Sequence, residues 1–416
     1  MVEGVNRLLA VSWCMPPLLY PRSIQVSRGL AGLARRGWNI DVVTVDPTQR
    51  EGIDPFDATI SKNLSGYYRN LLVKADTVNG DAIMSAWLKP AVAAARQALS
   101  ENHYVALVTF AQPWVDHLVG LEIKRNLNMP WVAHFSDPWV DSLYYASVPQ
   151  TEMRRWRKWE RDIMKRADAV VFTNAHARDL VMKKYPAAWK QKSHVVSHAY
   201  ERSLMADIIA DGSRSRMRWV YTGDFYGPRK PDGFLKALGE INAEMPLEKR
   251  LEVVFVGRSG GEDRQLAERL GLEKIVVFKE QVPYLESLKE AAQADALLLI
   301  DAPSQTDSPF LPSKLVDYLM FGRLIIGLTP RQGAAADLLH RLACPVVSPD
   351  DINGIKDILI RVLKNKTENA DDMQLKRTEI DKFDLDATAI DFENVIRQAV
   401  AKPQKLPFWE KWLRKN

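Results

Sequence analysis

The chain has 416 residues, of which 46% are hydrophobic and 26% are charged, and its formal net charge is +5. These values exclude a disordered, collagen-like or coiled-coil chain, and the length favours two compact domains over one. The two cysteines, Cys14 and Cys344, lie far apart, which excludes a disulfide scaffold or Cys-based zinc site, and no apolar run approaches the roughly 20 residues of a membrane-spanning helix.

Short apolar runs alternate with helical patterns through the first half of the chain. The runs at 8–13, 40–46, 104–110, 131–136 and 168–174 predict strands. Apolar residues at helical spacing predict helices between them, at 82–99 and 152–166 among others, whereas 47–80 is polar and irregular. Strongly apolar strands that alternate with helices are typical of a parallel sheet covered on both faces.

The same alternation begins again near residue 206. Predicted strands follow at 217–223, 251–257, 275–278, 295–301, 324–329 and 345–348. We therefore expect an α/β protein with two Rossmann-like, doubly wound domains, 1–205 and 206–386, that face a cleft. Ligands of such sheets bind beyond the carboxyl ends of the strands, so the loops there are the candidate sites.

The segment PSKLVDYL at 312–319 is the strongest candidate. Ser313 is placed to cap a helix, whose first N–H groups favour a phosphate, and Lys314 adds a full positive charge. Asp317 lies one turn further on and can accept bonds from ribose hydroxyls. The group fits a nucleoside diphosphate, although an ordinary capped helix with a surface lysine has the same spacing.

The loop TGDFYGPRK at 222–230 follows a predicted strand directly. Gly223 allows the backbone to approach a phosphate closely, and Arg229 and Lys230 supply positive charge. The alternative is an ordinary turn with exposed cations. Two such loops in one domain reinforce each other, whereas the third glycine-rich turn, at 257–261, does not match a dinucleotide-binding pattern.

Two candidate residues lie in the first half. Arg22 follows the proline-rich loop after the first strand, next to Ser23, which is placed to cap the following helix. Asp137 ends the segment HFSD and precedes Pro138, so we expect it to orient an acceptor hydroxyl or act as a base. A proline-stiffened loop and a turn-forming aspartate are the alternatives.

The positive charge is concentrated in residues 1–205, which carry 26 Lys and Arg against 19 Asp and Glu. The segment RRWRKWER at 154–161 and the tail LPFWEKWLRK at 406–415 mix cations with tryptophan and suggest contact with an anionic membrane surface. The alternative is a surface helix whose tryptophans pack on the domain core. No segment resembles a nucleic-acid-binding module, so no nucleic-acid partner is expected.

Six segments together resemble the family-4-like glycosyltransferases of the GT-B fold, over nearly the whole chain. They are the loop at 16–23, PWVAHFSDPW at 130–139, RADAVVFTN at 166–174, YTGDFYGPRKP at 221–231, VPYLESLKEAAQADALLLI at 282–300 and PSKLVDYLMFGRLIIGLTP at 312–330. The resemblance implies a second domain that binds a nucleotide sugar, and a final segment, 387–416, whose helix crosses back to the first domain.

The resemblance also implies roles for individual residues. Asp317 would hold the ribose, and Ser313, Lys314 and Leu315 would hold the phosphates. Arg229, with Lys230, would neutralise the diphosphate leaving group.

Gln281 and Val282 resemble the segment that contacts the base. The family's pair of glutamates is replaced here by Pro309 and Asp317, and its usual Gly-Arg reads Gly223-Asp224. We assign the acid that contacts the donor sugar to Asp307.

From these residues we predict a cytoplasmic glycosyltransferase, peripheral on the inner face of the cell membrane. It would move a hexose from a nucleoside diphosphate sugar to a hydroxyl of a lipid-linked or growing saccharide, in exopolysaccharide or cell-envelope glycan biosynthesis. We predict Asp137, Arg229 and Lys314 as catalytic, a retaining outcome, and no cofactor or metal. The alternatives are a GT-B-fold UDP-sugar epimerase and a non-catalytic nucleotide-sugar- or glycan-binding relative. A dehydrogenase is excluded because no GxGxxG follows the first strand.

Overall fold

The computed structural model describes residues 6–75, 82–207, 214–304, 306–365 and 376–402. The described chain forms two compact units. Unit 1 contains the residues up to Ala199 together with those from Leu385 onward, and unit 2 contains Tyr200–Asp384. The sequence placed its boundaries at 205/206 and 386/387.

Unit 1 is built on a seven-stranded parallel sheet with the order β3-β2-β1-β4-β5-β6-β7. The strands are β1 Arg7–Val11, β2 Asn39–Val45, β3 Arg69–Val73, β4 Ala106–Ala111, β5 Trp131–Phe135, β6 Ala169–Phe172 and β7 Ser193–Val195. The helices are α1 Pro21–Arg35, α2 Ala58–Leu64, α3 Ala82–Glu101, α4 Val115–Asn126, α5 Gln150–Arg166, α6 Ala175–Met182 and α7 Ala187–Lys190. The central strands β4 and β5 are buried along their whole length, which explains their unbroken apolar sequences.

Unit 2 repeats this plan with six parallel strands in the order β10-β9-β8-β11-β12-β13. The strands are β8 Met217–Thr222, β9 Leu251–Val256, β10 Val276–Lys279, β11 Ala296–Ile300, β12 Leu324–Leu328 and β13 Val346–Val347. The helices are α8 Asp232–Glu244, α9 Gly261–Arg269, α10 Tyr284–Ala292, α11 Ser313–Leu319, α12 Ala334–Arg341, α13 Ile352–Asn365 and α14 Arg377–Ile380. The predicted fold class, two Rossmann-like α/β domains, is confirmed.

The last helix of the described residues, α15 Leu385–Ala401, belongs to unit 1 and packs against α1. The two helices approach closely at Gly32, where an added Cβ would lie 2.8 Å from the Cβ of Ala389. The buried Glu393 of α15 pairs with Arg36 just after α1. The helix therefore completes the core of unit 1 after the chain has traversed unit 2.

The order of strands fixes where a ligand can reach each sheet. In unit 2 the strand order reverses at β8: β9 and β10 extend the sheet on one side of it, and β11, β12 and β13 extend it on the other. A crevice forms at such a switch point, beyond the carboxyl ends of the strands, because the flanking connections diverge there. The residues that follow β8 and β11 are therefore in the position where this architecture binds ligands.

Two parts of the chain differ from the prediction, the unpredicted strand β7 and the region 47–80. The region 47–80, predicted as irregular, contains α2 and the edge strand β3. β3 is only partly buried, so its sequence RNLLV lacks the apolar run that identified the other strands. None of the helices in the described ranges is long and apolar enough to cross a bilayer.

Candidate functional site

The loop after β8 approaches α11 closely at Gly223. Gly223 has a φ of 111°, which side-chain-bearing residues rarely adopt, and its N–H donates to the carbonyl of Val256 at 2.7 Å. An added Cβ would lie 2.5 Å from the Nζ of Lys314. The absence of a side chain at Gly223 is therefore what leaves room for the lysine amine.

The Lys314 amine is buried at the carboxyl end of β8. Its Nζ lies 3.8 Å from the centre of the Tyr221 ring and has no hydrogen-bond partner among the described residues. Burial, and then the positive charge of Arg229, lower the pKa of Lys314 well below its ordinary value. A buried polar group without a hydrogen-bond partner lowers the stability of the fold. A bound ligand can supply the acceptor that the described residues do not give this amine.

Arg229 reaches the same place from the other end of the loop. Its Nη2 donates to Oδ1 of Asp301 at 2.7 Å, and its Nη1 donates to the hydroxyl of Tyr226 at 3.1 Å. Burial disfavours the charged guanidinium, but the attraction of the Asp301 carboxylate is larger than this effect of burial, so the pKa of Arg229 is raised. Arg229 is thus a fixed cation, and the site contains the two basic side chains that the sequence predicted to converge.

Asp224 stands where the family resemblance led us to expect an arginine. Its carboxylate accepts hydrogen bonds from the backbone N–H of Arg258 at 2.8 Å and from the Arg258 guanidinium at 2.6 Å. An added Cβ at Gly257 would lie 2.5 Å from the carbonyl oxygen of Gly223. The aspartate therefore joins the loops after β8 and β9, and its charge is compensated within unit 2.

Helix α11 corrects two of the predicted roles. Pro312, with extended backbone, occupies the N-cap position, so Ser313 is the first helical residue and not the cap. The Leu315 amide already donates to the Pro312 carbonyl at 3.0 Å, and its side chain is in the core, so Leu315 has no free group for a phosphate. Asp317 lies in the helix and is 8% exposed.

The end of β8 is held against α11 by Tyr318. Its hydroxyl accepts a hydrogen bond from the Thr222 N–H at 2.8 Å and lies 3.2 Å from the Thr222 hydroxyl oxygen. Tyr318 is buried, as is the Tyr221 ring beneath the lysine amine. These contacts fix the distance between Gly223 and Lys314.

Four predicted residues lie elsewhere on the surface of unit 2. Lys230 is about half exposed and lies 3.7 Å from Glu262, so its charge faces a different carboxylate. The neighbouring Arg229 is mostly buried, so the two adjacent basic side chains differ in exposure. Gln281 and Asp307 are exposed, and Val282 packs against the core of unit 2.

A second group lies in unit 1, at the carboxyl end of β5. The Nη2 of Arg22 donates to the His134 carbonyl at 3.0 Å and lies 3.1 Å from the ring Nδ1 of the same residue. Ser23 is not the helix cap that the sequence predicted. Tyr20 and Pro21 begin α1, and Ser23 accepts the Tyr20 N–H at 3.2 Å from inside the first turn.

Asp137 follows the same strand and is close enough to Arg22 to interact with its charge. Burial raises the pKa of Asp137, while a hydrogen bond from Ser136 at 3.0 Å and the charge of Arg22 oppose the rise. Burial and Arg22 lower the pKa of His134, and they lower that of His198 to about 3, so both histidines are neutral. A carboxyl with a raised pKa is suited to proton transfer near neutral pH.

Sequence reasoning missed Asp301, which holds Arg229. It is 4% exposed and directly follows β11, and its Oδ2 has no hydrogen-bond partner among the described residues. The signal was present in the run ALLLID, because a carboxylate at the end of a fully buried parallel strand lies at the ligand-binding edge of the sheet.

The predicted membrane-contact segments have different outcomes. In α5, Trp156 is buried, and the centre of its ring lies 5.9 Å from that of Trp139. Trp159 is only partly buried, beneath the guanidinium of Arg155. Trp156 is therefore a core residue of unit 1. The tail at 406–415 lies outside the described residues.

Comparisons with known proteins agree with this architecture. Residues 24–198 match the family described as Glycosyl transferase 4-like domain. The chain is similar in structure to sucrose-phosphate synthase from Thermosynechococcus elongatus, with 18% identity, a TM-score of 0.70, and coverage of 95% of this chain and 99% of that one.

Two further structures are similar over comparable lengths. A lipopolysaccharide outer core galactosyltransferase has 12% identity and a TM-score of 0.62, with 94% of this chain and 99% of that chain covered. A structure described as a putative UDP-N-acetylglucosamine 2-epimerase from Listeria monocytogenes has 11% identity and a TM-score of 0.60, with 98% and 100% covered. A search of the curated proteins finds no match.

At these identities the structural likeness establishes the fold, and the family match covers the first unit. The chain therefore has the GT-B fold, and its residues 24–198 match the glycosyl transferase 4-like family that the sequence motifs resemble.

Proposed function

We propose that this protein is a glycosyltransferase that moves a sugar from a nucleoside diphosphate sugar to a hydroxyl of a saccharide acceptor, lipid-linked or growing. The observation that carries the proposal is the convergence of Arg229 and Lys314 on one buried place at the switch point of the second sheet. Two basic side chains held there, one of them without an acceptor of its own, suit a diphosphate.

The proposed mechanism assigns the protein mainly an electrostatic role. As the glycosidic bond breaks, negative charge grows on the leaving diphosphate, and positive groups already in position stabilise it more than they stabilise the substrate. Arg229 and Lys314 supply these groups. Asp137, in unit 1, orients or deprotonates the acceptor hydroxyl, supported by its raised pKa.

The finer assignments also stay proposals. The family resemblance supports hexose transfer with retention of the anomeric configuration, no metal, and a role in cell-envelope or exopolysaccharide assembly. The structural likeness to a putative epimerase supports one second candidate, a UDP-sugar epimerase. Product analysis separates them, because a transferase forms a glycoside and releases a nucleoside diphosphate, whereas the simplest epimerase reaction returns a nucleotide sugar.

The first experiment identifies the donor and then tests the basic side chains of Arg229 and Lys314 by substitution. UDP-, GDP- and ADP-sugars are screened by thermal shift, since a ligand that binds the native state raises the melting temperature. With the donor so found, Lys314→Ala and Arg229→Ala are each expected to lower turnover by about 100-fold or more. Lys274→Ala, which removes an exposed lysine, is the control and is expected to retain turnover. Near wild-type turnover in both site variants would refute the proposed roles.

A further inference from the structure

The charges around the candidate diphosphate site are paired, except for one. Arg229 is compensated by Asp301, and Asp224 is compensated by Arg258. The amine of Lys314 has no hydrogen-bond partner among the described residues and is the basic group left over. If it were protonated with nothing bound, the site would contain one uncompensated buried positive charge.

The groups that face the amine come from each element packed against it. The charged groups acting on Lys314 are Arg229, which disfavours its protonation, and Asp301 and Asp224, which favour it. The ring of Tyr221 lies beneath it from β8, with its centre 3.8 Å from the amine nitrogen. Burial and Arg229 outweigh the two carboxylates and hold the pKa of the amine well below its ordinary value, which favours its neutral form while the site holds no anion.

An anion changes this balance. Phosphate oxygens provide the acceptors that Nζ lacks, and their negative charge favours the ammonium form. A neutral amine can accept a proton from hydronium or a buffer acid: the donor's bond to hydrogen breaks, the new N–H bond gives –NH3⁺, and water or the conjugate base stays in solution. The ammonium then donates to the phosphate oxygens.

We propose that a diphosphate and one proton bind together at this site, with the proton going to Lys314. The proposal rests on the proposed function, since it concerns the same donor site. It gives Lys314 its full charge only when the leaving group is present, so the protein avoids the cost of a buried lone cation in the empty state. It also makes the affinity for a nucleoside diphosphate fall as the pH rises.

The test is titration calorimetry with UDP, GDP and ADP as probes. Each is measured at about pH 8, where the diphosphate is fully ionised, in buffers with different enthalpies of ionisation. The slope of the observed enthalpy against the buffer enthalpy gives the number of protons taken up, and we expect a value approaching one. Between about pH 7.5 and 9, we expect the dissociation constant to rise by up to tenfold per pH unit.

Two variants assign the proton. Lys314→Met keeps a side chain of similar length without the amine, and we expect weaker binding with no proton uptake and a flat pH dependence. Lys274→Met, on the exposed surface, is the matched control and is expected to behave as the wild type. Circular dichroism confirms that each variant is folded.

The outcomes separate this proposal from the function it rests on. Binding with no proton uptake in the wild type, or uptake that persists in Lys314→Met, overturns the coupling and leaves the donor site standing. Absence of binding by all three nucleotides overturns the donor site and the coupling together.

Discussion

At the scale of single residues, Gly223 makes the candidate site possible. Its φ of 111° and the space it leaves for the Lys314 amine are two separate requirements for glycine. We expect Gly223→Ala to lower the free energy of unfolding by about 1–3 kcal/mol through backbone strain. We also expect it to weaken binding of the donor's nucleoside diphosphate by about tenfold or more, or about 1.4 kcal/mol, because the methyl group displaces the amine.

Gly271, which follows α9 in unit 2, provides the matched control for this substitution. It also has a positive φ, of 66°, but an added Cβ would meet no atom within 4 Å. Gly271→Ala should therefore show a loss of stability with little change in affinity. Urea unfolding and calorimetry measure the two quantities, and equal losses of affinity in both variants would contradict the role assigned to Gly223.

Asp116 gives a prediction about pH. It is fully buried and accepts hydrogen bonds from the Trp13 N–H at 2.8 Å and the Trp87 indole at 2.7 Å, and burial raises its pKa to about 7. Because this exceeds the value of about 4 expected in the unfolded chain, the stabilisation from its bound proton is complete below about pH 4 and is lost as the pH rises through about 7.

We therefore expect the free energy of unfolding of the wild type to include a decrease of up to about 1.4 kcal/mol per pH unit between pH 4 and 7 that Asp116→Asn removes. Urea unfolding at several pH values measures the difference between the two proteins. Asp179→Asn, at an exposed position, is the control. A constant difference between wild type and Asp116→Asn across this range would show that Asp116 does not titrate there.

The sequence predicted which residues belong to the site better than it predicted which side chains they contact. Strand ends followed by glycine and basic residues identified Gly223, Arg229 and Lys314. The sequence could not show that Arg229 is mostly buried and Lys230 about half exposed, because the direction of each side chain depends on backbone dihedral angles. Asp301 was missed because its role depends on a contact with a residue 72 positions away in the sequence.

At the scale of elements, the contact between α1 and α15 can be tested with two glycines of one helix. Alanine is favoured over glycine inside a helix by about 1 kcal/mol. Gly29 has no atom within 4 Å of an added Cβ, so Gly29→Ala should raise the free energy of unfolding by about that amount. At Gly32 the added Cβ would clash with Ala389, so Gly32→Ala should lower it by about 1–3 kcal/mol.

Urea unfolding of the two variants measures these opposite changes. Stabilisation by both would mean that α15 moves away from α1 at little cost. The double substitution Gly32→Ala with Ala389→Gly restores the space between the helices, and we expect it to recover part of the lost stability.

Buried strands were predicted well, as were the edge strands β10 and β13 of unit 2, but the edge strands of unit 1 were not. The strands at the centre of each sheet are apolar on both faces, so they stand out in the sequence. The edge strands β3 and β7 carry polar residues and are only partly buried, and neither was predicted. Their positions are fixed by pairing with β2 and β6, which is a tertiary contact that local sequence does not encode.

At the scale of the whole molecule, both units have the same strand order. In each, the first strand pairs with the second on one side and with the fourth on the other. The alternation of strands and helices was enough to predict two doubly wound sheets, because parallel strands need crossover helices and the crossovers have one hand. The membership of α15 in unit 1 came from the family resemblance, since nothing in its local pattern indicates where it packs.

The first and last residues of unit 2 lie close together, since the Tyr200 N–H donates to the Phe383 carbonyl at 2.9 Å. Unit 2 is thus an insertion that ends just before α15, whose Phe392, Val395, Ile396 and Ala399 belong to a core cluster of unit 1. During translation, the ribosome releases all of unit 2 before it releases this helix. The domain begun first is therefore finished last, and a nascent chain stalled ahead of residue 385 exposes an apolar face that chaperones recognise.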